Sequence, residues 1–194
     1  MLEKIIVEVK DAIVAAVKGA DDIASALRMA IVHQTVGVLK NVGAMGVAAE
    51  DAIAAVANGA VKAAYDILSS ATEAVKKTVH AAILGAAETG MDVITAFRNV
   101  ARGTVSGASD VGGDIAVVSV AAIEGAVEAA GKVGVDAAKA VGSAVSGVIL
   151  AADSIGSEAG ASARKALMNA ATLPRDVIDK ALHGDGGSGR QAAS

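Results

Sequence analysis

The residue types that most often do chemistry are sparse in this chain. It has three histidines, His33, His80 and His183, and no cysteine, so disulfides, thiolate catalysis and cysteine-bound metals are excluded. Helical metal sites use Glu-x-x-His or His-x-x-x-His, because that spacing puts two ligands on one face of a helix. None of the three histidines has such a neighbour. We therefore predict no metal site and interpret His33 and His80 as solvated side chains.

Other catalytic patterns are also missing from the sequence. The 21 Asp and Glu residues could supply a di-iron site, but they recur on the polar side of the predicted helices instead of facing inward. Residues 184–189 match G-x-G-x-x-G by letter, yet no strand or βαβ unit surrounds them, so we interpret them as a linker. No Gly-x-Ser-x-Gly nucleophile elbow occurs. The sequence predicts no catalytic residues, no cofactor and a protein that is not an enzyme.

The composition indicates a folded chain with little bulky material for a core. Of 194 residues, 54% are hydrophobic and the mean hydropathy is +0.55, whereas disordered chains are poor in apolar residues. Tyr65 and Phe97 are the only aromatic residues. Seventeen basic against 21 acidic residues give a net charge of −4, so no basic field exists to hold a phosphate backbone. We predict that the protein binds no nucleic acid.

Two features predict the location of the protein. Glu3 and Lys4 stand where a signal peptide needs an unbroken apolar core. The longest stretch without a charged residue runs from Ala140 to Ala152, which is shorter than the roughly 20 residues of a membrane-spanning helix. We therefore predict no transmembrane span and an intracellular protein, either cytoplasmic or on the surface of an intracellular particle.

The elements are predicted to be helices nearly throughout. The single proline is Pro174, which is predicted to open a short last helix ending near His183, and charged residues recur every three or four positions before it. Glycine destabilises a helix interior by about 1 kcal/mol relative to alanine, so glycine clusters mark candidate breaks. The sequence predicts one helical repeat region over 1–183 and a flexible tail over 184–194. The candidate breaks lie at 43–46, 103–113, 156–160 and 172–175.

An 11-residue repeat divides the residues into two stripes. Eleven residues make three helical turns, so a pattern of this period stays on one side of a nearly straight helix. Polar residues recur at multiples of eleven, and small or apolar residues recur five and nine positions later. The polar stripe is represented by Asp66, Lys77, Glu88, Asp110, Lys132 and Lys165. The apolar stripe is represented by Ile5, Leu27, Val38, Ile53, Val75, Ala82, Val93, Phe97, Ile115, Ala126 and Val148.

The repeat predicts an all-α fold but leaves its arrangement open. Its phase is kept across every glycine cluster, which favours one long segmented helix lying along a common apolar surface. Duplication of an 11- or 22-residue unit would keep the same phase, and the helices could then fold into an antiparallel bundle. Gly37, Gly59, Gly103, Gly125 and Gly147 share one column of the repeat. These glycines either let helices approach closely, as in Gly103-x-x-x-Gly107, or are merely tolerated.

The segments 74–79 and 125–135 carry a resemblance to known proteins. They resemble the 11-residue-repeat amphipathic helices of synucleins and perilipins, and the composition is similar to that of bacterial phasins. The resemblance implies a protein that coats a lipid droplet, a storage-polymer granule or a membrane surface through its apolar stripe. Because the net charge is small and negative, an uncharged lipid or polymer surface fits better than an anionic membrane.

Two functions of different classes follow from the stripe. The first is the non-enzymatic surface coat. The second is self-assembly, in which the same stripe packs helix against helix in a bundle, an oligomer or a filament. A hydrophobic ligand held between the helices is a third and more remote interpretation.

Overall fold

The computed structural model describes residues 1–183, in which every secondary-structure element is an α-helix, and this confirms the predicted all-α fold. Nine helices follow one another within these residues, joined by short turns. The predicted tail over 184–194 lies outside the described residues. The helices are α1 (Leu2–Val17), α2 (Ile23–Met45), α3 (Ala49–Ile67), α4 (Ala71–Glu88), α5 (Val93–Asp110), α6 (Ile115–Val133), α7 (Ala137–Ile155), α8 (Ser157–Asn169) and α9 (Arg175–His183).

The helices form two layers. Through α7, each helix packs antiparallel against the next one in the chain and parallel to the second one along. The odd-numbered helices therefore lie side by side in one layer, here called the odd layer, and α2, α4, α6 and α8 form the even layer. This is the stacking of helix pairs that is typical of helical-repeat proteins, in which each unit contacts mainly its neighbours.

The repeat unit of the structure is 22 residues long. Helices α3 to α7 begin at residues 49, 71, 93, 115 and 137, a constant step of 22. One helix and its turn therefore span two 11-residue periods. The apolar residues consequently occupy the same positions within each of these helices, although the chain reverses direction each time. The extended arrangement favoured by the repeat is wrong for this structure, and the bundled alternative describes it.

A short sequence pattern ends one helix and starts the next. In the turns after α4, α5 and α6, Gly90, Gly112 and Gly134 have φ angles of +76°, +80° and +73°, a conformation that glycine adopts without steric cost. Two residues later an aspartate caps the next helix by accepting a backbone hydrogen bond, as Asp114 does from Ala116 at 2.8 Å. Asp92 and Asp136 do the same. This Gly-x-Asp pattern recurs every 22 residues.

The helix boundaries refine the candidate breaks. Helix α2 ends at Met45 and α9 begins at Arg175, within two of the predicted regions. The region 103–113 is mostly helical, because α5 continues to Asp110. Gly160 also lies inside α8, so the break near it is confined to Gly156. Gly103 and Gly160 were expected to end helices because glycine has a low helix propensity. Packing against neighbouring residues overrides that propensity here.

The apolar stripe forms the core. Three of its residues are half-buried and pack against that core: Val38, Val93 and Ile115. The other eight are buried: Ile5, Leu27, Ile53, Val75, Ala82, Phe97, Ala126 and Val148.

The polar stripe does not form a continuous face. Asp66, Glu88, Asp110 and Lys132 each lie in the last turn of a different helix, α3 to α6, and are therefore divided between the two ends of the bundle. Two of them tie neighbouring helices of the odd layer together: Lys10 Nζ is 2.8 Å from Asp66 Oδ2, and Lys62 Nζ is 2.7 Å from Asp110 Oδ2. Lys77 is half-buried, and Lys165 is exposed on α8.

The glycine column is where helices of one layer approach most closely. A Cβ placed on Gly125 would lie 2.8 Å from the carbonyl oxygen of Lys76 on α4. A Cβ on Gly59, Gly103 or Gly147 would overlap a backbone carbonyl of the second helix before it: that of Ile6, Ala54 or Arg98. Gly37 has no heavy atom within 4 Å of its would-be Cβ, because α2 begins its layer and no helix precedes it. The column therefore serves close packing in α3, α5, α6 and α7.

One described helix, α7, has the length and apolar composition that would allow it to cross a membrane. In the bundle it lies in the odd layer, and its apolar residues Val141, Val145 and Val148 are buried against other helices. Core helices of folded domains share this composition.

We expect alanine substitutions in the glycine column to change stability in opposite directions. Gly103→Ala should lower the free energy of unfolding by about 1–3 kcal/mol, because its Cβ would push α5 away from α3. Gly37→Ala, in open space in the interior of α2, should raise it by about 1 kcal/mol. Urea denaturation followed by circular dichroism measures both, and a shift in the same direction would contradict the packing role.

Candidate functional site

Two adjoining cavities form a groove across the outer surface of the even layer. Their volumes are about 570 and 650 Å³, and both are lined by residues of α2, α4 and α6, with Arg28 shared between them. Because α2 and α6 flank α4 in the layer, side chains far apart in sequence meet above α4. We call this surface the α2–α4–α6 groove. Its two halves, named by the cavities, differ in chemistry.

The polar half of the groove contains charged side chains that are mostly paired. Lys76 Nζ on α4 is 3.0 Å from Glu128 Oε1 and 3.5 Å from Glu124 Oε2, both on α6. Lys77 Nζ is 3.2 Å from Glu73 Oε1 one turn earlier. The hydrogen-bonded ion pair with Glu128 raises the pKa of Lys76, although burial opposes this. The ion pairs of Lys76 link α4 to α6.

His80 lies at the centre of the groove. It is half-buried on α4, and its Nε2 is buried without a hydrogen-bond partner. Burial lowers the pKa of His80 below its usual value of 6.5, Glu128 acts in the opposite direction, and Arg28, Lys132 and Lys77 reinforce the lowering. The imidazole is therefore neutral at pH 7 in the folded protein.

The apolar half has a floor of aliphatic side chains. Val32 and Val36 come from α2, and Leu84 and Ala87 come from α4. Met29, which is 61% exposed, stands at its edge. The four floor side chains are half-buried and form a small apolar surface bordered by charged residues.

Two cations flank this floor without a partner. Arg28 on α2 and Lys132 on α6 line the apolar half, and neither has an ion pair or side-chain hydrogen bond within residues 1–183. Glu88 is the carboxylate on the same surface, and His33 lies beside it. The formal charges of Arg28, Lys132 and Glu88 around the apolar half sum to +1, although the whole chain is acidic.

The predicted side chains are only partly brought together. His33 is exposed, as expected from the sequence, whereas His80 is half-buried and not simply solvated. Lys77 of the polar stripe lines the polar half of the groove and Glu88 and Lys132 line the apolar half, while Asp66, Asp110 and Lys165 lie elsewhere. Arg28 and the aliphatic floor were missed, because their approach depends on how the helices stack. In the described part of the chain, no three His, Asp or Glu residues are grouped to hold a metal ion.

Comparisons of the chain with protein-family models, with curated proteins and with solved structures gave no match.

We expect His80 to make stability depend on pH. Because its folded pKa lies below the unfolded value of 6.5, the unfolded state binds the proton more tightly, so this contribution is complete above pH 6.5 and is lost as the pH falls below it. His80→Gln should therefore reduce the drop in thermal midpoint between pH 7.5 and 5.5. His33→Gln, which removes an exposed imidazole, is the matched control. An unchanged drop in the His80 variant would disprove the effect.

Proposed function

We propose that this chain is a non-enzymatic structural protein whose apolar stripe packs helix against helix, so that the folded bundle is a scaffold and a unit of assembly. The observation that carries the proposal is the burial of the stripe: Ile53, Phe97 and Ala126 have no exposed surface. Burying apolar side chains stabilises a fold by about 25 cal/mol per Å², and here that stabilisation is used within the chain.

Self-association is proposed on the outer sides of α1 and α2, the first helices of the odd layer and the even layer. These helices begin the two layers, and among the described residues no helix packs on their outer sides. Val7 on α1 is 57% exposed, and Gly37 on α2 faces open space although glycines of its column elsewhere contact a neighbouring helix. A second copy that placed a helix there would continue the packing of the layers. Such head-to-tail contacts produce rings or filaments.

The surface coat is the second proposal, and the nature of the core favours it. The buried residues are mostly alanine and valine, with Phe97 as the one buried aromatic side chain among the described residues. Each small side chain contributes little apolar area, so a hydrophobic surface could compete for the stripe. In this state the chain would extend and the stripe would lie on the lipid or polymer.

A distance measurement distinguishes the two proposals. Lys62 and Asp110 touch in the bundle, but in one continuous helix they would lie about 70 Å apart at 1.5 Å per residue. The chain has no cysteine, so Lys62→Cys and Asp110→Cys allow two spin labels to be placed specifically. We expect the two labels to stay close both in buffer and with a neutral-lipid or polyester emulsion. Self-association is measured separately by sizing in buffer, where we expect the apparent mass to increase with protein concentration. Separation of the labels on the emulsion would instead favour the coat.

The apolar stripe itself is tested by two neighbouring positions of α6. Ala126→Glu places a carboxylate in the core and should lower the free energy of unfolding by several kcal/mol, or abolish folding. Val127→Glu places the same group on an exposed position and should change it by about 0.5 kcal/mol or less. Thermal unfolding by circular dichroism measures both. Equal stability of the two variants would refute the assignment of the stripe to the core.

A further inference from the structure

The apolar half of the α2–α4–α6 groove has the features of a docking surface for a helix. Its floor combines Val32 and Val36 of α2 with Leu84 and Ala87 of α4. Val32 and Val36 are four residues apart on one helix, and a helix lying along the groove would meet them with side chains at similar spacing. The cavity is open to solvent along its length, whereas small-molecule sites usually enclose most of their ligand. A segment of a macromolecule therefore fits this surface better than a small amphiphile.

The charges on the two sides of the floor indicate the chemistry of the occupant. Several cations are paired with carboxylates of a neighbouring helix, as Lys10, Lys62 and Lys76 are. Arg28 and Lys132 are not paired, and they stand on opposite sides of the floor, on α2 and α6. A carboxylate from a partner would supply the missing counter-charge to each of them.

We propose that the apolar half of the groove binds an acidic amphipathic helix of a partner protein, with its apolar face on the Val32–Leu84 floor and its carboxylates beside Arg28 and Lys132. This goes beyond the structural role proposed above, because it assigns the scaffold a partner of defined chemistry. Glu88 is the one carboxylate around the apolar half and would repel the acidic side of that helix. Removing the charge of Glu88 should therefore strengthen binding, whereas reversing the charge of Arg28 or Lys132 should weaken it.

The probe is a synthetic helical peptide of about four turns, with leucine at i, i+3, i+4 and i+7 and glutamate on both sides of this face. A second peptide has lysine in place of every glutamate, and a third has serine in place of every leucine. Binding to the full chain is measured by fluorescence anisotropy at low and at physiological salt. The glutamate peptide should bind, the lysine peptide should bind at least tenfold more weakly, and the serine peptide should not bind.

Variants of the protein locate the contact. Arg28→Glu and Lys132→Glu should each weaken binding of the glutamate peptide by roughly five- to tenfold, since a charge contact of this kind contributes about 1 kcal/mol or slightly more. Glu88→Gln should strengthen it. Lys40→Glu is the matched control: it reverses an exposed charge on α2 outside the groove and should leave binding unchanged. None of these side chains is buried, so the variants are expected to fold, and circular dichroism checks this.

Three outcomes would overturn the proposal. The first is equal binding of the glutamate and lysine peptides. The second is binding of the glutamate peptide that is insensitive to Arg28→Glu and Lys132→Glu. The third comes from anionic phospholipid vesicles without peptide: if they bind the protein, lose binding in both variants, and the peptide does not bind, the cations serve a membrane instead of a helix.

Discussion

The close approach of parallel helices within each layer is the constraint on which this fold depends. The core is built mostly from alanine and valine, which reach only a short distance from their backbone. Helices with such side chains exclude water between them only if their axes come very near each other. Gly103 and Gly147 make this approach possible, because their backbones lie directly against the carbonyl groups of Ala54 and Arg98. A larger residue there would separate the helices along their whole length.

The same constraint explains the surfaces that the molecule exposes. Once the glycine column sets the spacing within a layer, the stagger between helices is set as well: Gly125 meets Lys76 and Gly103 meets Ala54, both at a separation of 49 residues. That stagger brings Lys76 to Glu128 and leaves Arg28 opposite Lys132 across α4. The groove is thus a consequence of backbone packing. The outer side of α2 is open because no helix of residues 1–183 packs against it.

The sequence predicts the helices and the core well and the path of the chain poorly. Periodicity alone identified Leu27, Ile53 and Val148 as core-facing, because a helix of any length must bury its apolar side. It could not show where the chain reverses, since a unit of one helix and one turn equals two 11-residue periods and keeps the phase unchanged. The signal that marks three of the reversals is Gly-x-Asp, a left-handed glycine followed by a cap, as at Gly112 and Asp114. The groove could not be predicted, because Arg28 and Lys132 come to line one surface only after the helices stack.

The turns also decide how a coat could arise from this fold. Successive turns lie at opposite ends of the bundle and join the odd layer to the even layer, and the turn between Val133 and Ala137 has only three residues. Such a turn spans at most about 14 Å when fully extended, little more than the 8–10 Å between packed helices. The odd layer and the even layer therefore cannot separate as intact layers and expose the apolar sides that face each other. In the proposed coat the turns themselves would have to become helical, which glycine permits at Gly90 and Gly134, so the bundle and the coat would be alternative folds of one repeat.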